Sequence, residues 1–249
     1  MEASIAQSAG KGLVLLLRPV GAAVGQHPHC LIVVHIPIVY FKPLSVNLEE
    51  VAKVLKRCDW VAFTSPTSLR LMPKDLLQEI VALNREGRIR VACVGPATCS
   101  EAERRGLAVG VMPQRYTTKS LAEEIAATGA SCVVAFRSSK ASPDLERVLR
   151  ERGVRVHTVP LYDLVPLERL AKAAAASADY FDYVVFTSST IAETFLKYYK
   201  GPFTFKAVAI GPVTASALRK LGVRVHIVAS EHTMEGVWKA LIDDMKGRC

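Results

Sequence analysis

The sequence predicts an α/β fold in two similar parallel-sheet domains, and three observations carry that prediction. Short β-rich runs alternate with amphipathic helical segments, the pattern of βα units on a parallel sheet. The run Asp59-Trp60-Val61-Ala62-Phe63-Thr64-Ser65-Pro66-Thr67 returns as Asp182-Tyr183-Val184-Val185-Phe186-Thr187-Ser188-Ser189-Thr190. Val94-Gly95-Pro96-Ala97-Thr98 likewise returns as Ile210-Gly211-Pro212-Val213-Thr214, each followed by a short helical pattern, a glycine (Gly106, Gly222) and a strand. Such a duplication implies two lobes facing one cleft, with loops of hydroxyl and glycine residues at its rim.

The elements follow in order. Strands are expected at 13–17, 32–39, 59–64, 91–94, 108–112, 132–136, 154–159, 182–187, 206–210 and 223–228. Helix starts are read from capping-box spacing at Asn47 with Glu50, Ser120 with Glu123, and Thr190 with Glu193. Pro143 suits a first helical position. Gly87, Gly106, Gly129, Gly153 and Gly222 stand where helices end on a left-handed residue. A third part of the repeat pairs Leu13–Arg18 and its following strand with Cys132–Arg137 and the strand after it. Its first copy is eroded, because Gly21–Cys30 holds Gly, His and Pro and forms a helix poorly. Ile36–Pro43 and Thr158–Pro166 carry paired prolines in extended sequence and read as connections between lobes.

Composition bounds the function. Half of the 249 residues are apolar and 22% are charged, which supplies packed cores and excludes a disordered chain. The run Leu13–Leu17 is too short to span a membrane and lacks a signal-peptide cleavage site, so a cytoplasmic protein is expected. The net charge of +9 is scattered along helices and not gathered on a recognition element. Nucleic acid is one candidate partner for such a balance, and a polyanionic small molecule drawn into a positive cleft explains it equally well; no nucleic acid or membrane partner is expected. The six cysteines form no Cys-x-x-Cys pair and the histidines no cluster at zinc spacing, so no metal is expected. Cys58, Cys93 and Cys132 lie in or beside apolar runs and are expected as buried thiols. Scarce Asn and Gln beside many Arg and Glu give a thermophile-like composition, a setting in which intracellular disulfides occur.

Four sets of residues are candidates for chemistry. Gly-Pro-x-Thr follows a strand and opens a helix, so Gly95, Thr98, Gly211 and Thr214 offer first-turn amides and hydroxyls to an anion; the alternative is that the threonines only cap their helices. Phe-Thr-Ser places Ser65, Ser188 and Ser189 at the same rim, as ligand donors or as caps. With no histidine to activate them, they are not read as nucleophiles. Arg18 and Arg137 end equivalent strands, with Lys140 in the next loop, and either hold a carboxylate or bridge to a neighbouring helix. Tyr162, in the second connection, is a candidate proton donor or an aromatic packed at a junction.

Together, Arg18-Pro19 after an apolar strand, two Phe-Thr-Ser elements, two Gly-Pro-x-Thr elements and Pro160-Leu161-Tyr162 resemble the uroporphyrinogen-III synthase family. The likeness runs from Leu13 to Leu241, and the eroded segment 21–30 departs from it. The resemblance implies two flavodoxin-like domains, 1–36 with 167–249 and 37–166, swapped and joined by a two-stranded hinge at 37–43 and 158–166. It implies cyclisation of hydroxymethylbilane, a linear tetrapyrrole, with inversion of ring D and loss of water. No cofactor is implied, and the expected protein is a monomer. Tyr162 takes the catalytic role by its position in the family. The competing class is a non-catalytic two-lobed protein that binds an anionic metabolite.

Overall fold

Near-continuous apolar runs on the central strands, such as Val61-Ala62-Phe63 and Val184-Val185-Phe186, let both faces of a sheet be covered by helices, and the computed structural model shows that arrangement over residues 11–245. The chain divides into two compact units, one holding residues 11–41 and 164–245 of the described chain and the other Lys42–Asp163. Strands β2 (Leu31–Pro43) and β7 (Arg155–Pro166) carry the chain across the boundary.

The first unit contains β1 (Gly12–Pro19), most of β2, β8 (Tyr183–Phe186), β9 (Lys206–Ala209) and β10 (Val225–Val228), all parallel in the order β10-β9-β8-β1-β2. Leu15, Leu17, Val184 and Phe186 pack under α7 (Glu168–Ser177), α8 (Ser189–Leu196) and α9 (Pro212–Lys220). On the other face Val14, Leu16 and Val185 meet Val237, Trp238 and Leu241 of α10 (Met234–Asp244). Nothing helical lies between Pro19 and Leu31; Gly21 and Gly25 turn the chain with φ of 74° and 75°.

The second unit holds β3 (Trp60–Phe63), β4 (Arg90–Cys93), β5 (Val109–Val111), β6 (Cys132–Ser138) and most of β7, parallel in the order β7-β6-β3-β4-β5. α5 (Thr118–Ala127) and α6 (Asp144–Glu151) cover one face through Leu121, Ile125, Leu145 and Leu149. The remaining helices are α1 (Leu48–Leu55), α2 (Pro66–Arg70), α3 (Lys74–Arg85) and α4 (Pro96–Arg104). With β6 and β7 matched to β1 and β2, both sheets have the doubly wound order 2-1-3-4-5.

Helix ends adjust the reading. Asn47 caps α1 through Oδ1, which accepts the Glu50 N–H at 3.2 Å, and all five expected C-terminal glycines have positive φ. The α5 cap, however, is Thr117, whose hydroxyl accepts the Ser120 N–H at 3.1 Å, and the α8 cap is Ser188. In both cases an upstream hydroxyl reaches the free amides first, so the Ser/Thr-to-Glu spacing lies inside the helix. Pro143 is the cap residue of α6 and not its first helical residue. Cys58 and Cys132 are joined in a disulfide and are not free thiols, while Cys93 and Cys99 are free and buried.

Candidate active site

Strand order reverses between β1 and β8 in the first unit and between β6 and β3 in the second. Open α/β sheets bind ligands at the carboxyl ends of strands beside such a switch. The loops there are those carrying the Phe-Thr-Ser elements. Ser65 Oγ accepts the Thr67 N–H at 3.0 Å and caps α2; Ser188 Oγ accepts the Ile191 N–H at 3.3 Å and caps α8. Ser189 opens α8, and all three serines are half-buried. The Thr187 hydroxyl donates to the Leu17 carbonyl at 2.9 Å and ties β8 to the end of β1.

Gly95 and Gly211 are the cap residues of α4 and α9, each with extended backbone and a proline at the first helical position. Thr98 and Thr214 stand two residues further on, only 3% and 4% exposed. They cap nothing, and the Thr98 N–H is taken by the Gly95 carbonyl at 3.0 Å. The exposed first-turn residues that carry an amide N–H are Ala97 and Val213, which precede the first possible i−4 partner; the exposed prolines before them have none.

Both glycines are buried for a reason the motifs alone did not reveal. A Cβ at Gly95 would lie 3.3 Å from the Tyr116 side chain, and one at Gly211 would lie 2.8 Å from the His232 ring. A side chain at Gly211 would force His232 to move and one at Gly95 would crowd Tyr116, so the constraint is one of space, since the extended backbone suits any residue. Tyr116 and His232 are themselves exposed, and each precedes a threonine that caps the next helix, Thr117 and Thr233. They stand 116 residues apart, the offset of Gly95 and Gly211, so the repeat carries a readable signal for them.

The two equivalent arginines differ sharply. Arg137 is 2% exposed and donates through Nη1 to both Glu146 carboxylate oxygens, at 2.7 and 2.6 Å; the Thr158 hydroxyl donates to the same carboxylate at 2.7 Å. Burial opposes the Glu146 charge, but the bonds from Thr158 and Arg137 outweigh it and hold its pKa below the ordinary value. Glu146 comes from α6, the helix missing after β1. Arg18 has no such carboxylate among the described residues: Nη1 donates to the Ala23 carbonyl, and Nε, like that of Arg137, is buried without a partner. Burial lowers the Arg18 pKa, with Glu235 partly restoring it. Lys140 is exposed and lies 3.4 Å from Asp163.

Tyr162 is 5% exposed on β7. Burial raises its pKa, against the opposing influence of the Ser65 and Ser68 hydroxyls and the Arg137 charge, so the phenol keeps its proton at neutral pH. The second unit thus brings together Ser65, Arg137 and Tyr162, with Lys140 in the loop after β6. The first unit holds Arg18, Ser188, Ser189, Gly211 and Thr214 at the carboxyl ends of its own strands.

Residues 28–239 match the family model described as Uroporphyrinogen-III synthase HemD. A Chlorobaculum parvum protein named uroporphyrinogen-III synthase is 26% identical over 195 residues, covering 75% of this chain and 79% of its own length. Among solved structures, a mutant Thermus thermophilus uroporphyrinogen III synthase aligns with a TM-score of 0.62 at 19% identity, over 94% of this chain and 98% of its own. The Helicobacter pylori uroporphyrinogen-III synthetase aligns with a TM-score of 0.62 at 16% identity, over 94% and 99%.

Proposed function

The chain belongs to the uroporphyrinogen-III synthase family, and from that premise we propose how its residues serve the reaction. The enzyme is a cyclising lyase of tetrapyrrole biosynthesis. Hydroxymethylbilane loses its terminal hydroxyl as water, and the ring closes with ring D inverted through a spiro intermediate. The observation that carries this reading is the family match across 28–239, which includes Tyr162 and the rim residues of both units other than Arg18. A binding protein for an anionic metabolite would share the lobes and rim hydroxyls but has no such match to explain.

Unbranched ring closure needs no protein, so the catalyst must mainly fix geometry, folding the bilane so that the alternative carbon is within reach. Each unit's rim, taken by itself, offers groups suited to holding carboxylates. The helix dipoles and exposed first-turn amides at Ala97 and Val213 suit acetate and propionate groups, with Gly95, Thr98, Gly211 and Thr214 shaping the turns. Tyr116 and His232 lie against those glycines and flank the same amides. Ser65, Ser188 and Ser189 line the switch-point loops. Arg18 carries its charge at the end of β1 with no paired carboxylate among the described residues, and Lys140 is exposed beside Asp163; both cations attract carboxylates. Arg137 acts from beneath as a positioning residue, its charge beside Tyr162 and its own place fixed by Glu146.

Tyr162 donates a proton as the C–O bond breaks, so that hydroxide does not have to depart. A phenol whose pKa is raised by burial stays protonated for that task. Site and activity are tested together by giving the parent and Tyr162→Phe proteins hydroxymethylbilane and following uroporphyrinogen III. Slower formation with the same isomer supports the assignment. An unchanged rate removes Tyr162 from the mechanism, and absence of isomer III in the parent removes the activity.

A further inference from the structure

At the opposite end of the second unit's sheet from its rim, Cys58, Cys132 and His157 bring two sulfurs and an imidazole nitrogen within 4.8 Å of one another. Three separate segments supply them. Cys58 lies just before β3, Cys132 is the first residue of β6, and His157 sits on β7 opposite Val134, two register positions past the partner of Cys132. Asp59 fixes the local backbone: its carboxylate accepts the Ser131 N–H at 3.0 Å and the Cys132 N–H at 2.7 Å. The sulfurs are buried, with Cys58 6% and Cys132 1% exposed, whereas His157 is exposed. A disulfide joins the two cysteines in this structure and gives the adjacent imidazole no task.

We propose that this trio is a redox-dependent site for a soft divalent cation of the zinc class. A dithiol reductant supplies two electrons and two protons, opens the disulfide to two thiols and is itself oxidised to a disulfide. Cation binding then displaces the two thiol protons, leaving two thiolates and the neutral His157 nitrogen as ligands. Two thiolates and an imidazole favour zinc over magnesium or calcium, which take oxygen ligands. At metal–ligand distances of about 2.0–2.3 Å, tetrahedral ligands lie on the order of 4 Å apart, inside the span observed. The fourth position is left to water. The disulfide staples the segment before β3 to β6, and the cation would staple both to β7 as well, remote from the rim loops.

Cobalt(II) added to the full-length protein is the probe. After dithiol reduction and removal of the reductant, one equivalent should produce a thiolate-to-cobalt charge-transfer band with the visible bands of tetrahedral coordination, and zinc should bleach both. Unreduced protein should show neither. His157→Ala should weaken cobalt binding at least about tenfold, the smaller loss expected even for an outer-sphere partner. Cys58→Ser should abolish the charge-transfer band. No band in the reduced parent, or an unchanged affinity in His157→Ala, overturns the proposal. So does a band that persists in Cys58→Ser, which would assign the cation to other thiols. If Cys58→Ser loses its circular dichroism, His157→Ala, altered only at an exposed side chain, decides the matter.

Discussion

Arg137 and Glu146 form a buried pair in which one guanidinium nitrogen serves both carboxylate oxygens, at 2.7 and 2.6 Å. The equivalent Arg18 has no such partner among the described residues, because segment 21–30 replaces the helix that would bring one. The difference separates a structural arginine from one available to ligand, although both end matching strands.

Removing half of that pair should be costly. Glu146→Gln strands a guanidinium that is 2% exposed and should destabilise the protein by about 3 kcal/mol. The effect depends on acidity. Glu146 titrates below its ordinary 4.5, so its stabilisation is complete above that value and is lost as pH falls through the lower folded pKa. Urea unfolding of parent and variant should differ at neutral pH and converge in acid. A constant difference would contradict the assignment.

At the first unit's rim, a methyl group on Gly211 would lie 2.8 Å from the His232 ring and must displace it. Gly211→Ala should lower kcat/KM about tenfold, equivalent to about 1.4 kcal/mol, mainly through KM. His232→Ala should relieve the overlap, so the double variant should lose less than the sum of the single variants. Additive losses would show that the ring does not constrain this turn.

Tyr162→Phe should reduce kcat on the order of 100-fold, at the low end for a lost general acid, with KM little changed. Unfolding midpoints must match the parent for that reading. A loss confined to stability would make the buried phenol a packing residue.

The Cys58–Cys132 disulfide closes a sequence separation of 74, for which loop entropy predicts about 4.4 kcal/mol of stabilisation. Metal-free, reduced protein should therefore unfold at lower denaturant than the oxidised form, by that amount. Equal midpoints would mean that the bridge contributes nothing.

Much of this was legible in the sequence, and the exceptions have physical causes. All ten strands fall where apolar runs predicted them, with ends displaced by turns and by the extension of β2 and β7. The C-terminal glycines were readable because a left-handed residue leaves few alternatives. Thr117 was not readable as a cap, and Ser188 was readable only as one of several candidates, because several hydroxyls compete within one turn. The Arg137 partner was hidden because Glu146 meets it only after α6 folds back over β6. The Cys58, Cys132 and His157 cluster has no linear motif, since strand order brings it together. Tyr116 and His232 were available from the repeat offset, but their task appears only once the glycine turns are closed.

The most direct measurement is the isomer composition formed from hydroxymethylbilane. The account predicts uroporphyrinogen III as the main product, formed in proportion to protein concentration and well above the spontaneous rate. Uroporphyrinogen I alone, appearing no faster than without protein, would contradict it.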